Sequence, residues 1–99
     1  MLYAIAGTDT PDSLAGRLAA RAAHLARVSQ LRNEGRLILA GPHPLLDTRE
    51  PGEAGFSGSL IIAEFPSLAD ATAWAQADPY ATAGVWGSVS VKPFVQVMP

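Results

Sequence analysis

Cationic side chains at helical spacing are the first feature of this sequence that could perform acid-base chemistry. Arg17, Arg21 and His24 follow one another at intervals of one turn, so on a helix they form a single cationic ridge. One interpretation is structural: the arginine stems cover the edge of the core and His24 packs inside it. The other is functional: the ridge faces a cleft, where His24 transfers protons and Arg21 binds an anionic group.

Asp78 is the carboxylate whose position calls for a basic partner. Residues 67–77 begin with Ser67, a favoured N-cap residue, and continue with strong helix formers, which predicts a helix. Pro79 disfavours helical backbone at the residue before it, so the helix is predicted to end at Asp78. A negative charge is disfavoured there by the helix dipole. Asp78 is therefore either a solvated residue that ends the helix or the partner of a base, and spacing does not show that it meets His24.

Several other side chains are candidates for the wall of a binding site. Tyr80 and Trp86 suit either the core or a cavity wall, and Ser59 follows a glycine within a predicted strand. No elbow or oxyanion motif supports Ser59 as a nucleophile. His43 lies between two prolines at the start of a predicted loop, where a histidine is most often exposed.

Composition excludes several classes of function. The chain has 99 residues, which predicts one domain over 1–99, and its net charge of −2 predicts no nucleic-acid partner. It has no cysteine and only two histidines without metal-ligand spacing, so neither a disulfide nor a zinc site is expected. The first residues contain no basic leader and no run long enough to span a membrane. We therefore expect a cytoplasmic protein with no membrane partner.

The order of the elements predicts the fold. Strands are expected at residues 2–7, 36–41, 57–65 and 85–97, and helices at 11–33 and 67–77. Pro42 and Pro44 are expected to end the second strand. Residues 43–56, rich in proline, glycine and charge, are expected to form a lid loop. The order β-α-β-β-α-β is typical of the α+β ferredoxin-like fold, with a four-stranded antiparallel sheet and both helices on one face. Leu14, Leu18 and Leu25 are predicted to bury one side of the first helix, with Arg21 within the same stripe.

The other face of the sheet is expected to be covered by a second copy of the chain. The first three strands are apolar at both alternating sets of positions, whereas a sheet with one solvated face alternates apolar and polar residues. This pattern predicts a homodimer through the open sheet face. One side of the fourth strand is polar and is predicted to line a cavity under that interface, with Trp86, Ser88, Ser90 and Lys92.

Four separate stretches of the sequence, in order and nearly from end to end, resemble the YciI family. They are residues 17–25 (RLAARAAHL), 34–42 (EGRLILAGP), 56–60 (FSGSL), and 77–80 (ADPY) followed by 91–94 (VKPF). The resemblance implies a dimeric α/β barrel similar to muconolactone isomerase, with a histidine and an aspartate as a catalytic pair in a cleft. Those positions correspond to His24 and Asp78. It further implies an enzymatic activity, one branch of the family resembling dehydrochlorinases or lyases of chlorinated aromatic diols.

Three functional hypotheses follow. The first is an enzyme without a cofactor that carries out proton abstraction, elimination or isomerisation on an anionic or aromatic small molecule. His24 is its acid or base, Asp78 fixes the histidine tautomer, and the side chains expected to bind substrate or shape the pocket are Arg21, Arg17, Ser59, Tyr80 and Trp86. The second is a non-catalytic ligand-binding or assembly module. The third, haem binding with His24 as axial ligand, is disfavoured because a nearby aspartate and two arginines suit a polar anion better.

Overall fold

A computed structural model describes all residues from 1 to 99. Four antiparallel strands form one sheet in the order β2-β3-β1-β4, which confirms the predicted ferredoxin-like arrangement. No helix combines the length and the apolar composition that a membrane-spanning segment requires. The elements are β1 (Leu2–Asp9), α1 (Leu14–Asn33), β2 (Leu37–Pro44), a 3-10 turn (Gly52–Ala54), β3 (Phe56–Glu64), α2 (Leu68–Gln76), α3 (Pro79–Thr82) and β4 (Trp86–Phe94).

The core lies between the helices and one face of the sheet. Tyr3 and Ile5 of β1 pair with Ala63 and Ile61 of β3, and all four are buried in one apolar cluster. The remaining buried members of the cluster come from the helices, α3 included, and from the segments beside them: Val28, Leu31, Phe65, Ala71, Ala75, Tyr80, Val85 and Trp86. Trp74 of α2 is half-buried and packs against this cluster.

The buried face of α1 differs from the predicted leucine stripe. Leu18 is 62% exposed and Leu25 is 40% exposed, whereas Arg17 and His24 are buried together with Val28 and Leu31. The prediction was wrong for Leu18 and Leu25, because α1 contains many alanines and leucine spacing alone did not identify the side that packs against the sheet. Arg17 and His24 face inward because their hydrogen-bonding partners are buried there, as described below.

The second strand continues through Pro42 and ends at Pro44, the second of the two prolines that were predicted to end it. Pro42 pairs with Ser59, and His43 pairs with Gly58. An edge strand tolerates proline because one row of its backbone groups bonds to no neighbour, and β2 is an edge of this sheet. His43 therefore lies on a strand rather than at the start of a loop, and the connection to β3 is shorter than predicted.

The fourth strand is also placed differently from its prediction. The pairing of β1 with β4 shifts register after Thr8, so that Asp9 lies opposite Trp86 while Thr8 lies opposite Ser88. This bulge turns Trp86 to the helix side, away from the side that carries Ser88, Ser90 and Lys92. The strand ends at Phe94 instead of reaching residue 97.

Candidate functional site

One cavity of about 400 Å³ lies between α1 and the strands β2 and β3, on the helix side of the sheet. The size suits a small aromatic or similar molecule. It was predicted beneath the open face and along β4, but no residue of β4 lines it, because the bulge and the helix packing place the space over β2 and β3. The lining residues are Arg17, Leu18, Arg21, His24, Leu25, Val28, Ala40, Gly41, Pro42, Phe56, Ser59, Ile61 and Tyr80.

His24 and Asp78 meet at the inner wall of this cavity. The Nδ1 atom of His24 lies 2.9 Å from each Asp78 carboxylate oxygen. A carboxylate accepts hydrogen bonds, so the pair favours the tautomer with the proton on Nδ1 and leaves Nε2 as the proton acceptor. His24 Nε2 has no hydrogen-bond partner in the protein. The only unpartnered side-chain nitrogen or oxygen that is sealed from solvent is Trp86 Nε1, so His24 Nε2 is accessible. His24 lines the cavity, and its Nε2 is therefore reachable from there.

The position of Asp78 in the backbone explains how a fully buried carboxylate is held there. Asp78 is the N-cap of α3, and its side chain accepts a hydrogen bond of 2.9 Å from the backbone N–H of Tyr80. The predicted helix does end just before Asp78, at Gln76 with Ala77 as its C-cap. The expectation that the carboxylate faces an unfavourable dipole was wrong, because Pro79 starts a new helical turn and Asp78 caps its N-terminus. Extended backbone at Asp78 directs the carboxylate inward toward α1.

Arg27 supplies the positive charge that balances Asp78. Its Nη1 atom lies 3.2 Å from Asp78 Oδ2, and its Nη2 atom donates to the Trp74 carbonyl at 2.9 Å. The guanidinium also lies over the Trp74 ring at 4.3 Å. Three contacts therefore fix Arg27, and the Asp78 carboxylate is held by both Arg27 and His24.

An aromatic layer positions the His24 ring. Tyr80 stacks on it with ring centroids 4.1 Å apart, and Trp86 meets it edge to face at 5.9 Å. Trp86 occupies the space over Gly7, where any Cβ atom would clash with its ring. Trp86 was expected to contact substrate, but it lies behind the histidine and does not line the cavity.

Arg17 is held by a buried ion pair that was not predicted from the sequence. Its Nη2 and Nε atoms donate to the two Asp9 carboxylate oxygens at 2.8 and 3.0 Å. Nη2 also lies 2.8 Å from Ser59 Oγ and 3.1 Å from the Gly58 carbonyl oxygen. Both charged side chains are buried, so the charge of Arg17 is compensated within the protein.

Arg21 is the cation of the cavity that has no partner. It lines the same space as Arg17 and His24, is exposed, and makes no ion pair or side-chain hydrogen bond. The three residues of the predicted ridge therefore line one cavity but differ in whether a carboxylate pairs with them. Arg17 is neutralised by Asp9, His24 is paired with Asp78, and Arg21 is free to bind an anion.

Tyr80 presents a neutral phenol beside these cations. Burial raises the pKa of Tyr80 above its ordinary value of 10.0, and the nearby charges of Arg17 and Arg21 oppose that shift without reversing it. The Arg17 guanidinium carbon lies 4.6 Å from the centre of the Tyr80 ring. Tyr80 thus contacts both Arg17 and His24 and connects the Arg17–Asp9 pair with the His24–Asp78 pair.

The structure brings together most of the predicted site residues and adds two that were missed. His24, Arg17, Arg21, Ser59 and Tyr80 all line the cavity. Asp9 and Arg27 were missed because neither lines the cavity: Asp9 holds Arg17, and Arg27 holds Asp78 behind His24. A weak signal existed for Arg27, which follows His24 at an interval of one helical turn, but no local pattern pointed to Asp9. No group of three or more histidine, cysteine or carboxylate side chains is placed to hold a metal ion.

The sequence profile of the YCII-related domain matches residues 1–95. This chain belongs to the YCII-related family. It is 59% identical to Protein YciI of Escherichia coli over 97 residues, covering 98% of this chain and 99% of the relative. An uncharacterized protein of Haemophilus influenzae is 52% identical over the same coverage.

Among solved structures, this member of the YCII-related family is similar to the 5-chloro-2-hydroxyhydroquinone dehydrochlorinase of Burkholderia phenoliruptrix. The TM-score is 0.83 with 28% sequence identity, covering 96% of this chain and 94% of the dehydrochlorinase. That enzyme was solved in complex with 2,5-dihydroxybenzoquinone. The fold of this chain is therefore one that supports small-molecule chemistry in a related protein.

Proposed function

We propose that this protein is an enzyme that needs no cofactor and transfers a proton to or from a small anionic or aromatic molecule, in an elimination or isomerisation. The observation that carries the proposal is the buried His24–Asp78 pair, whose free Nε2 atom opens onto the cavity. A pair of this kind is suited to general acid-base catalysis. The resemblance to a dehydrochlorinase favours an elimination with loss of HCl as the first reaction to test.

Each residue has a distinct role in the proposed reaction. His24 Nε2 accepts the substrate proton, while Asp78 holds the ring orientation and stabilises the imidazolium that forms. The electron pair left by the proton forms the new double bond, and chloride departs with the electrons of its bond to carbon. Arg21 binds the anionic group, and Tyr80 and Ser59 contribute to the pocket wall.

Turnover of 5-chloro-2-hydroxyhydroquinone, followed by chloride release, tests this function. We expect wild-type protein to release chloride and His24→Ala to lose activity by a factor of about 10² or more. His43→Ala is the matched control, because His43 is exposed on β2 and does not line the cavity. Equal turnover by wild type and His24→Ala would contradict the role of His24. Tight binding of the same compound without turnover by wild type would favour the ligand-binding module.

We further propose that the open face of the sheet pairs with a second copy of the chain. The strand register identifies the residues that face away from the helices, and these are largely apolar and contiguous across the strands. Ala4 and Ala6 of β1 have Leu60 and Ile62 of β3 on one side and the more polar β4 on the other. Sedimentation analysis should report a homodimer, and Leu60→Asp should shift it toward monomer. A monomeric wild-type protein would contradict the proposal. The cytoplasmic location stays a prediction.

A further inference from the structure

We propose that the Ser59 hydroxyl donates a hydrogen bond to a carbonyl or neutral phenol oxygen of the substrate, with Arg17 and Asp9 as positioning residues. The inference rests on the proposed function, because it concerns the molecule on which His24 acts. It assigns a second recognition point in the cavity, distinct from the cation of Arg21, and it specifies the kind of oxygen bound there.

The contact with Arg17 determines the direction of the Ser59 hydrogen bond. A guanidinium has donors only, so the 2.8 Å contact between Arg17 Nη2 and Ser59 Oγ makes the serine oxygen the acceptor. The Ser59 hydrogen then remains available, and it has no acceptor within the protein. Ser59 is only 3% exposed and lines the cavity. A buried donor without an acceptor is destabilising, and a ligand oxygen that accepts its hydrogen bond would remove that penalty.

The local charge indicates which oxygen suits this donor. Asp9 binds Arg17 through two hydrogen bonds and cancels its charge, so the Ser59 region carries no net charge. A full carboxylate is better placed against Arg21, which has no partner. Ser59 instead favours an oxygen that accepts hydrogen bonds without requiring a counter-ion, as in a ketone, a quinone or a lactone. The substrate class is therefore a compound with a carbonyl or neutral phenol oxygen in addition to any anionic group.

The same donor would assist the proton transfer. When His24 removes a proton from carbon next to a carbonyl, the electron pair of the C–H bond moves toward the carbonyl oxygen. That oxygen gains negative charge, and a hydrogen bond from a fixed donor strengthens as it does so. Arg17, held by Asp9, prevents the serine hydroxyl from turning away.

Binding of 2,5-dihydroxybenzoquinone to purified variants tests the inference. The dissociation constant should rise about tenfold in Ser59→Ala and stay near the wild-type value in Ser59→Thr, which keeps a hydroxyl. Ser57→Ala is the matched control, because Ser57 lies on the same strand but is exposed and does not line the cavity. Circular dichroism and urea unfolding establish that each variant is folded.

The outcomes separate this inference from the proposed function. If the wild-type protein binds the quinone and Ser59→Ala binds it with the same affinity, the role of Ser59 alone is overturned. An equal loss of affinity in Ser59→Ala and in folded Ser59→Thr would also overturn that role. Failure of the wild-type protein to bind the quinone would overturn the carbonyl substrate class and this inference. Chloride release from 5-chloro-2-hydroxyhydroquinone would then still decide the function of His24 independently.

Discussion

The carboxylate of Asp78 lies 2.9 Å from Nδ1 of His24, although the two residues are 54 positions apart in the chain. The contact joins the middle of α1 to the N-cap of α3. Asp78 simultaneously caps α3, so one side chain both starts a helix and orients the candidate base. Structural and catalytic roles of Asp78 are therefore separable by substitutions that keep or remove its oxygen atoms.

Asp78→Asn and Asp78→Ala should give different results. Asparagine keeps an oxygen that can accept from the Tyr80 N–H but removes the charge, so we expect a fall in kcat of about 10²-fold or more with a smaller loss of stability. Alanine leaves Arg27 without its carboxylate and removes the cap. The free energy of unfolding should then fall by about 3–5 kcal/mol. Urea denaturation and chloride-release kinetics measure the two effects, and equal kcat in Asp78→Asn and wild type would contradict the catalytic role.

Arg21→Gln should weaken the binding of anionic substrates. The side chain has no competing partner in the protein, so its loss is expected to raise KM about tenfold while the unfolding free energy changes little. The difference from wild type should shrink at high salt, because an exposed charge is screened. Arg32→Gln, in the last turn of α1, is the matched control. Similar KM values for both variants would argue against an anion site at Arg21.

Gly7→Ala should disturb the support of the His24 ring. A Cβ atom at Gly7 would collide with the Trp86 ring, which is buried and cannot move without displacing its neighbours. We expect a loss of unfolding free energy of about 1–3 kcal/mol, together with reduced kcat. At Gly41, a Cβ atom would have no neighbour within 4 Å. Gly41→Ala should therefore unfold at nearly the wild-type urea concentration, and equal stability of both variants would contradict the packing argument.

The tyrosine in the site should make stability sensitive to alkaline pH. Because burial raises the pKa of Tyr80, the folded protein holds the phenol proton more tightly than the unfolded chain does. Its contribution is fully present below the unfolded value of about 10 and is lost as pH rises through the folded pKa. Thermal unfolding between pH 8 and 11 should show a steeper alkaline decline in wild type than in Tyr80→Phe. Parallel curves for the two proteins would contradict this origin.

The sequence predicted the order of strands and helices well, because that order depends on local patterns. Short apolar runs, the Ser67 cap and the glycine after α1 each act over a few residues. Local patterns were less informative where neighbouring elements decide the outcome. Pro42 was read as a strand terminator, yet it lies within β2 because that strand forms the sheet edge.

The sequence by itself also determined which side chains were available for chemistry, with His24, Arg21 and Asp78 as the main candidates. Only the tertiary structure decided how these groups were paired. Asp9 neutralises Arg17, Arg27 balances Asp78, and Arg21 is left free, although all three arginines lie on one helix. The reason is physical: the state of a charge depends on which distant groups packing brings within a few ångströms of it, and spacing along the chain does not encode that.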